Sequence, residues 1–183
     1  LWIDPVWTPE GTSIVALRAP IKSTLTSPRS KQGVVTRDAE IVVISSEGGN
    51  PRLLTKTEGR RRPHFGPSSE RVYLSGQTLT SIALDGSDAR IEAKIGTEGG
   101  SSELRLSPNG THVMAIDGRV TQLYKVPPKG LNGGELKSPL PIEVNKDSPG
   151  HIVWSGDSEN IIAISSAQLQ IMNVAKPNKR HPT

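Results

Sequence analysis

An all-β fold built of small antiparallel sheets is predicted by three observations. The first is a repeat. The segments "DPVWTPEGTSIVAL" from Asp4, "RPHFGPSSERVYLS" from Arg62, "ELRLSPNGTHVMAI" from Glu103 and "HIVWSGDSENIIAI" from His151 share a large apolar residue, a small polar turn and an apolar run. The anchors Trp7, Phe65, Leu106 and Trp154 follow one another at spacings of 58, 41 and 48 residues. The second is composition: 18 Gly and 15 Pro among 183 residues favour short elements joined by turns. The third is that no segment carries a convincing helical period or begins with a capping box.

The elements of one repeat follow in order. A first strand ends at the anchor. The turn after it has a physical reason. In Ser107-Pro108-Asn109-Gly110 the serine can bond the backbone, the proline presets φ, and the glycine closes without steric penalty, as in a type I turn. Thr8-Pro9-Glu10-Gly11 is the same solution. Gly66-Pro67-Ser68-Ser69 and Ser155-Gly156-Asp157-Ser158 lack the final glycine. A positive φ at Ser69 or Ser158 would cost roughly 1–2 kcal/mol. The second strands are Ile14–Leu17, Val72–Leu74, Val113–Ile116 and Ile161–Ile164, apolar at every position except Tyr73. A one-sided sheet would alternate, so both faces are expected to be covered, as when small sheets stack. Third strands are expected at Ile41–Ile44, Leu79–Leu84, Leu123–Val126 and Leu169–Met172. Turn residues Glu47–Asn50 and Asp85–Asp88 follow two of them, and fourth strands at Arg52–Thr55, Ile91–Ile95 and Pro141–Val144. The last repeat offers no fourth strand before "KPNKRHPT".

Four antiparallel strands per unit, recurring every 40–50 residues or so, are the signature of a β-propeller blade. The predicted blades span approximately 4–58, 62–96, 103–146 and 151–174, and 175–183 reads as a linker or disordered tail. About four blades are thus present, expected to be part of a larger propeller. Were they instead a closed ring, Leu1-Trp2-Ile3 could complete the last blade across the seam. An open arc would expose blade faces built from residues such as Val15 and Ile162, which another chain, domain or copy would have to cover.

The motifs "WTPEG", "LSPNG", "EGGNPRLLT" and "IALDGSDAR" resemble the WSPDG-type repeats of TolB-like propellers. The run from "GGNPRLLT" through "RRPHFGPSSERVYLS" to "HIVWSGDSENIIAI" resembles more closely the propeller preceding the metal-dependent hydrolase domain of bacterial periplasmic amidohydrolase-related proteins. The likeness covers nearly the whole chain and speaks to architecture more than activity. It implies a periplasmic or secreted location and a hydrolase domain downstream that would hold a divalent metal. That domain needs a His-x-His pair, and His64, His112, His151 and His181 form none. No catalytic residue, cofactor or metal is therefore expected in this segment.

Composition narrows the rest. No apolar run approaches the eighteen residues of a membrane span. No secretory signal is visible, and the first residue is Leu rather than Met, so the chain is expected to be processed or excised from something longer. Without cysteine there are no disulfides or thiolate metal sites. A net charge of +4 is mildly basic. There is no Gly-x-Ser-x-Gly elbow, phosphate loop or dinucleotide fingerprint.

Strand parity locates two candidate sites. Second-to-third loops and blade-to-blade connections share one side of a propeller. The insertion Pro20–Arg37 carries Lys22, Arg29, Lys31 and Arg37 without an acid, and the connection after the first blade carries Lys56, Arg60, Arg61 and Arg62. Both fall on that side, where they would form solvated loops or a docking face for an acidic partner. Three residues before each anchor stand Asp4, Arg62, Glu103 and His151. If the anchor strands are innermost, these lie near the mouth of the central channel. They read as a polar collar, or as a site for a polar ligand; they are too few for a metal site. Trp7 and Trp154 are expected to be core anchors between blades, and His64 a hydrogen-bonded strand histidine. The expected function is a non-catalytic module that docks on an adjacent hydrolase domain, gates its substrates or binds protein. The alternative is a stand-alone TolB-like interaction module. Nucleic acid or another polyanion is disfavoured, since such sites use aromatic stacking and only three Trp, two Tyr and one Phe exist.

Overall fold

The computed structural model describes residues 2–19, 38–57, 61–95, 103–117, 120–142, 151–164, 169–175 and 180–181. Seventeen strands run along them: β1 (Trp2–Trp7), β2 (Ser13–Arg18), β3 (Ala39–Ser45), β4 (Arg52–Thr57), β5 (Pro63–Phe65), β6 (Arg71–Leu74), β7 (Thr78–Ala83), β8 (Arg90–Ile95), β9 (Glu103–Leu106), β10 (His112–Asp117), β11 (Val120–Lys125), β12 (Glu135–Leu136), β13 (Leu140–Ile142), β14 (His151–Trp154), β15 (Asn160–Ile164), β16 (Leu169–Asn173) and β17 (Arg180–His181). No helix occurs among the described residues. The chain divides into two compact units, residues 1–76 with 80–90, and residues 77–79 with 91–183.

The first unit holds the antiparallel sheet β1-β2-β3-β4 and the run β5-β6-β7. Val15, Leu17, Ile41 and Val43 of the one pack with Val72, Leu74 and Ile82 of the other. Leu17, Ile41 and Val72 are fully buried. Each such side chain stabilises the fold by about 1.5–3 kcal/mol. The second unit holds the sheets β9-β10-β11-β13 and β14-β15-β16-β17. Met114, Leu123 and Ile142 pack there with Ile152, Ile161 and Met172. Four-stranded antiparallel sheets of this kind are what the all-β expectation required.

The repeat is expressed in the register. Trp7 pairs with Ile14, Phe65 with Val72, Leu106 with Val113 and Trp154 with Ile161, always seven residues on. A second bond recurs in all four blades. The amides of Ser46, Leu84, Val126 and Val174 donate to the carbonyls of Thr12, Glu70, Thr111 and Glu159, at 2.8–2.9 Å.

Three of the four turns share one construction. The fourth-position amides of Gly11, Gly110 and Ser158 donate to the carbonyls of Thr8, Ser107 and Ser155 at 2.9 Å. The hydroxyls of Thr8, Ser107 and Ser155 accept from the amides of Ser13, His112 and Asn160 at 2.9–3.1 Å. The fourth position is left-handed in each, with φ 71, 73 and 64 at Gly11, Gly110 and Ser158. Ser158 therefore does carry a left-handed backbone, and its side chain has a use: the buried hydroxyl accepts the Asn109 amide at 2.9 Å, joining adjacent turns. The second turn departs, for a chemical reason. Gly66 stands where the others have a hydroxyl residue, so the bond to the amide five residues on cannot form, and Ser69 keeps a negative φ. Its hydroxyl donates to the Glu10 carboxylate of the preceding turn, which holds that carboxyl below its ordinary value. Third position to next fourth position is thus the connection in both units.

Five features differ from expectation. The tail at 175–183 is not simply a linker, because β17 pairs with β16 and supplies the fourth strand of the last blade. Its pairing uses only two residues, Arg180 and His181, too short to read from apolar pattern. Trp2 and Ile3 pair with Arg18 and Leu17 inside the first sheet and so do not complete the last one. A strand that was not foreseen, β12, leaves the third repeat and pairs in parallel with β8. There Leu136 is buried and Gly133 donates to the Glu92 carbonyl at 2.9 Å. Gly133 has φ 79, and a Cβ would sit 3.1 Å from the Ile91 carbonyl oxygen, so close approach demands glycine. Trp7, expected in the core, is 55% exposed, whereas Trp154 packs against the core of the second unit. Trp7 faces away from Val15 because its partner Ile14 is one residue off the inward set. Val15, expected on an uncovered face, is fully buried. The far side of the last sheet leaves Val153, Ile164 and Leu169 exposed, with Ile162 half-buried, whereas on the far side of the first sheet Trp2, Trp7 and Leu53 are exposed on the edge strands but Ala16 and Val42 are buried.

Candidate ligand-binding site

The candidate site of the first unit is built around β1 and β5. The register of β1 slips between Ile3 and Val6, so Asp4 and Pro5 form a bulge. A residue before proline is normally driven to extended backbone. Asp4 nevertheless has φ 50, in the left-handed region that Asp tolerates better than most residues. Bulges re-aim side chains. Here the re-aimed carboxylate Oδ2 stands 3.6 Å from Arg62 Nε, with both side chains about one-quarter exposed.

Arg62 is fixed by its backbone, since its carbonyl accepts the Ser75 amide at 2.9 Å. That bond ties the start of β5 to the loop between β6 and β7, the two kinds of segment that strand parity assigns to one side. Ser75 is buried, and its hydroxyl lies 3.3 Å from His64 Nδ1. The His64 ring also leans on Tyr73, with centroids 5.9 Å apart. His64 is thus the hydrogen-bonded strand histidine expected of it. Arg61 lies over Gly76: a Cβ there would sit 2.8 Å from the guanidinium carbon and 3.1 Å from Arg61 Cδ. Two guanidinium groups, an imidazole, a hydroxyl and one carboxylate therefore gather within the first unit.

The other predicted residues are disposed differently. In the second unit Glu103 Oε1 accepts from Arg105 Nε at 2.9 Å, and Arg105 Nη1 donates to the Ile152 carbonyl at 2.5 Å. Glu103 thus anchors an arginine that staples β9 to β14. His151 is exposed on β14. Lys56 is exposed on β4 opposite Glu40, whose carboxylate also holds Arg18 at 2.6 Å. Lys22, Arg29, Lys31, Arg37 and Arg60 lie outside the described residues. No group of three or more His, Asp or Glu that could hold a metal occurs among the described residues.

Residues 10–180 match the family of the lipoprotein LpqB β-propeller domain. The chain belongs to this family. No curated protein matches it. Its fold is shared with solved propellers of low sequence identity. TolB from Acinetobacter baumannii is 16% identical with a TM-score of 0.63, the match covering 96% of this chain and 41% of TolB. An oligogalacturonate lyase in complex with manganese is 14% identical with a TM-score of 0.67, covering 98% of this chain and 53% of the lyase. A chain of a nidogen/laminin complex is 11% identical with a TM-score of 0.65, covering 98% and 63%. This LpqB-type segment thus spans 41–63% of the length of those chains. The TolB-like propeller fold expected from the sequence is borne out.

In this LpqB-type propeller, sequence reasoning singled out Asp4, Arg61 and Arg62 as candidates, and did not single out Ser75 and Gly76, which the structure places beside them. The available signal was the "SG" between two apolar runs, which marks a turn without saying what crosses it. Other charged groups serve hairpins. Asp88 takes Arg71 Nη1 at 2.8 Å and also pairs with Arg90, which together with Arg71 holds its carboxyl below the ordinary value. Asp85 is lowered by the hydroxyl and amide of Ser87, and Asp157 by the Ser155 hydroxyl and the Glu159 amide.

Proposed function

We propose that this chain is a non-catalytic binding module of the cell envelope, working as part of a larger propeller and engaging protein through the side that carries the start of β5 and the loop between β6 and β7. The observation that carries the reading is the meeting of Arg61 and Arg62 with Ser75, Gly76 and Asp4, segments distant in sequence. The envelope setting is supported by the lipoprotein family to which the chain belongs and by the fold shared with TolB. Membership of a larger propeller is supported by the chain spanning about half of the matched structures, and by the exposed apolar residues Val153, Ile164 and Leu169 of the last sheet and Trp2, Trp7 and Leu53 on the edge strands of the first. Further blades of the same construction are the occupants that fit those faces. A second reading, docking on an amidohydrolase-type domain of the same polypeptide, rests on the sequence resemblance around "RRPHFGPSSERVYLS".

The test is site-specific photo-crosslinking in the native cell. A photoreactive residue at Lys56 or Gln77 samples the proposed side, and one at Glu47 the opposite side. Crosslinks to a protein from the first pair but not from Glu47 support the reading. Crosslinks to another part of the same polypeptide favour the second reading. Identical patterns from both sides would refute a dedicated face.

A further inference from the structure

We propose that a second copy of this chain completes the propeller: the exposed face of the last sheet receives the Trp7 edge of another copy's first sheet, and the two copies close head to tail. The proposal rests on the reading of the chain as part of a larger propeller and names where the further blades come from.

The repeat itself shows what covers such a face. Residues paired directly across antiparallel strands share a face. The residue after each anchor's partner therefore marks one side of its sheet: Val15 with Val43, Met114 with Leu123, and Ile162 with Ile171. In the first unit Val15 and Val43 pack with Val72, Leu74 and Ile82 of the following blade, and the anchor Phe65 lies against that core. In the second unit Met114 and Leu123 pack with Ile152, Ile161 and Met172 of the following blade, and the anchor Trp154 lies against that core. Both contacts are of one kind: the marked side of a blade takes the anchor side of the next.

The last and the first sheet each keep one half of this contact exposed. On the last sheet Ile162 and Ile171 share their side with Val153, Ile164 and Leu169, and these three are exposed. No Lys, Arg, Asp or Glu stands on that side among the described residues, so it can be buried without stranding a charge. On the first sheet Trp7 is the one anchor left more than half exposed; Leu106 is buried, and Phe65 and Trp154 are partly so. Trp2, half exposed, lies on the same side, because its partner Arg18 alternates with Ile14 and Ala16. The centre of that side is already buried at Ala16 and Val42, so what it offers is an edge with two tryptophans. Tryptophan is prominent among the residues that dominate interfaces.

A second copy is favoured over an unrelated protein because it presents the missing anchor and the missing face together. Such a contact is heterologous, so it closes into a ring when the rotation permits. Four sheets in each copy make a pair that falls within the roughly four to eight blades typical of propellers. The chain spans 41–63% of the matched structures, so a pair has a length comparable with one of them.

The experiment is sedimentation of the full chain over a concentration series, with W7A and L169E as variants. The parent is expected to be a dimer. Each variant is expected to weaken dimerisation about thirtyfold or more, the loss of an interface hot spot. Both positions are exposed, so the variants are expected to keep the circular dichroism of the parent. Mixing W7A with L169E is expected to restore dimers, because one Trp7 and one last-sheet face remain intact between them. A contact between two last-sheet faces would spare W7A and gain nothing from mixing, and that result overturns the proposal. A monomer at every concentration overturns it too. A photoreactive residue at Leu169 then separates the two readings. Crosslinks to other blades of the same polypeptide leave the larger propeller standing, and crosslinks to no blade sink that reading as well.

Discussion

Replacing Ser158 separates two opposed effects that the structure puts on one residue. Its backbone is left-handed, with φ 64, which costs a non-glycine residue roughly 1–2 kcal/mol. Its hydroxyl accepts the Asn109 amide at 2.9 Å, a bond that contributes about 1 kcal/mol. Ser158→Ala keeps the strain and loses the bond, so it is expected to destabilise by about 1 kcal/mol. For a chain of this size that is a fall of about 2–4 °C in melting midpoint. Ser158→Gly loses the same bond and releases the strain, so it is expected to lie within about 1 kcal/mol of the parent and above Ser158→Ala by about 1–2 kcal/mol. Urea unfolding followed by tryptophan fluorescence, with circular dichroism as the second probe, reads the order directly. Ser158→Ala equal to or more stable than Ser158→Gly would refute the claim that the serine is strained and retained for its hydroxyl.

Further expectations concern the repeat and its charges. Gly11→Ala meets no atom within 4 Å, so its cost of about 1–2 kcal/mol should be purely that of the left-handed backbone, whereas Gly156→Ala, equally unobstructed at a negative φ, should be neutral or slightly stabilising in the same unfolding assay. Leu17→Ala removes a fully buried side chain of the first unit and is expected to cost about 2–5 kcal/mol, measured by thermal denaturation. Burial, helped by Lys125 opposite, holds His112 below its ordinary pKa of 6.5, so the unfolded chain binds its proton more readily. Stability should therefore be full above pH 6.5, fall as pH drops toward the folded-state value, and level off below it. His112→Gln should flatten that slope, and an unchanged slope would exclude this histidine as its source. The carboxylates Glu10, Asp85, Asp88 and Asp157, lowered by hydrogen bonds, give a separate loss at lower pH.

Much of the architecture was legible because the same anchor-to-strand connection recurs four times, three of them with the same turn. The anchor, the six-residue connection and the apolar run set a register that Trp7, Phe65, Leu106 and Trp154 all obey. What periodicity could not convey was which face of a strand is covered. Trp7 occupies an anchor position yet is exposed, because the inward set of β1 and β2 is Val6 with Val15 and Ile3 with Leu17. Two-residue strands such as β12 and β17 carry no apolar pattern and exist through long-range pairing alone. Of the candidate site, parity put Arg61 and Arg62 on the side of the β6–β7 loop, where the Arg62 carbonyl meets Ser75, and counting back from the anchors singled out Asp4, which lies beside Arg62. The roles of Ser75 and Gly76 depend on an arginine crossing the backbone, which is a tertiary fact. Counting back also selected Glu103, whose carboxylate instead orients Arg105, because nothing in the spacing distinguishes a ligand from a strut.

The parallel pairing of β12 with β8 bears on how such chains can be rearranged. The segment around Glu135 and Leu136 is encoded between β11 and β13 but spent on a different sheet. Residues 103–146 are consequently not an interchangeable cassette. Excising or duplicating them would strip β8 of its outer neighbour or supply a surplus copy of it, so shuffling of such blades should respect a breakpoint that keeps β8 and β12 together.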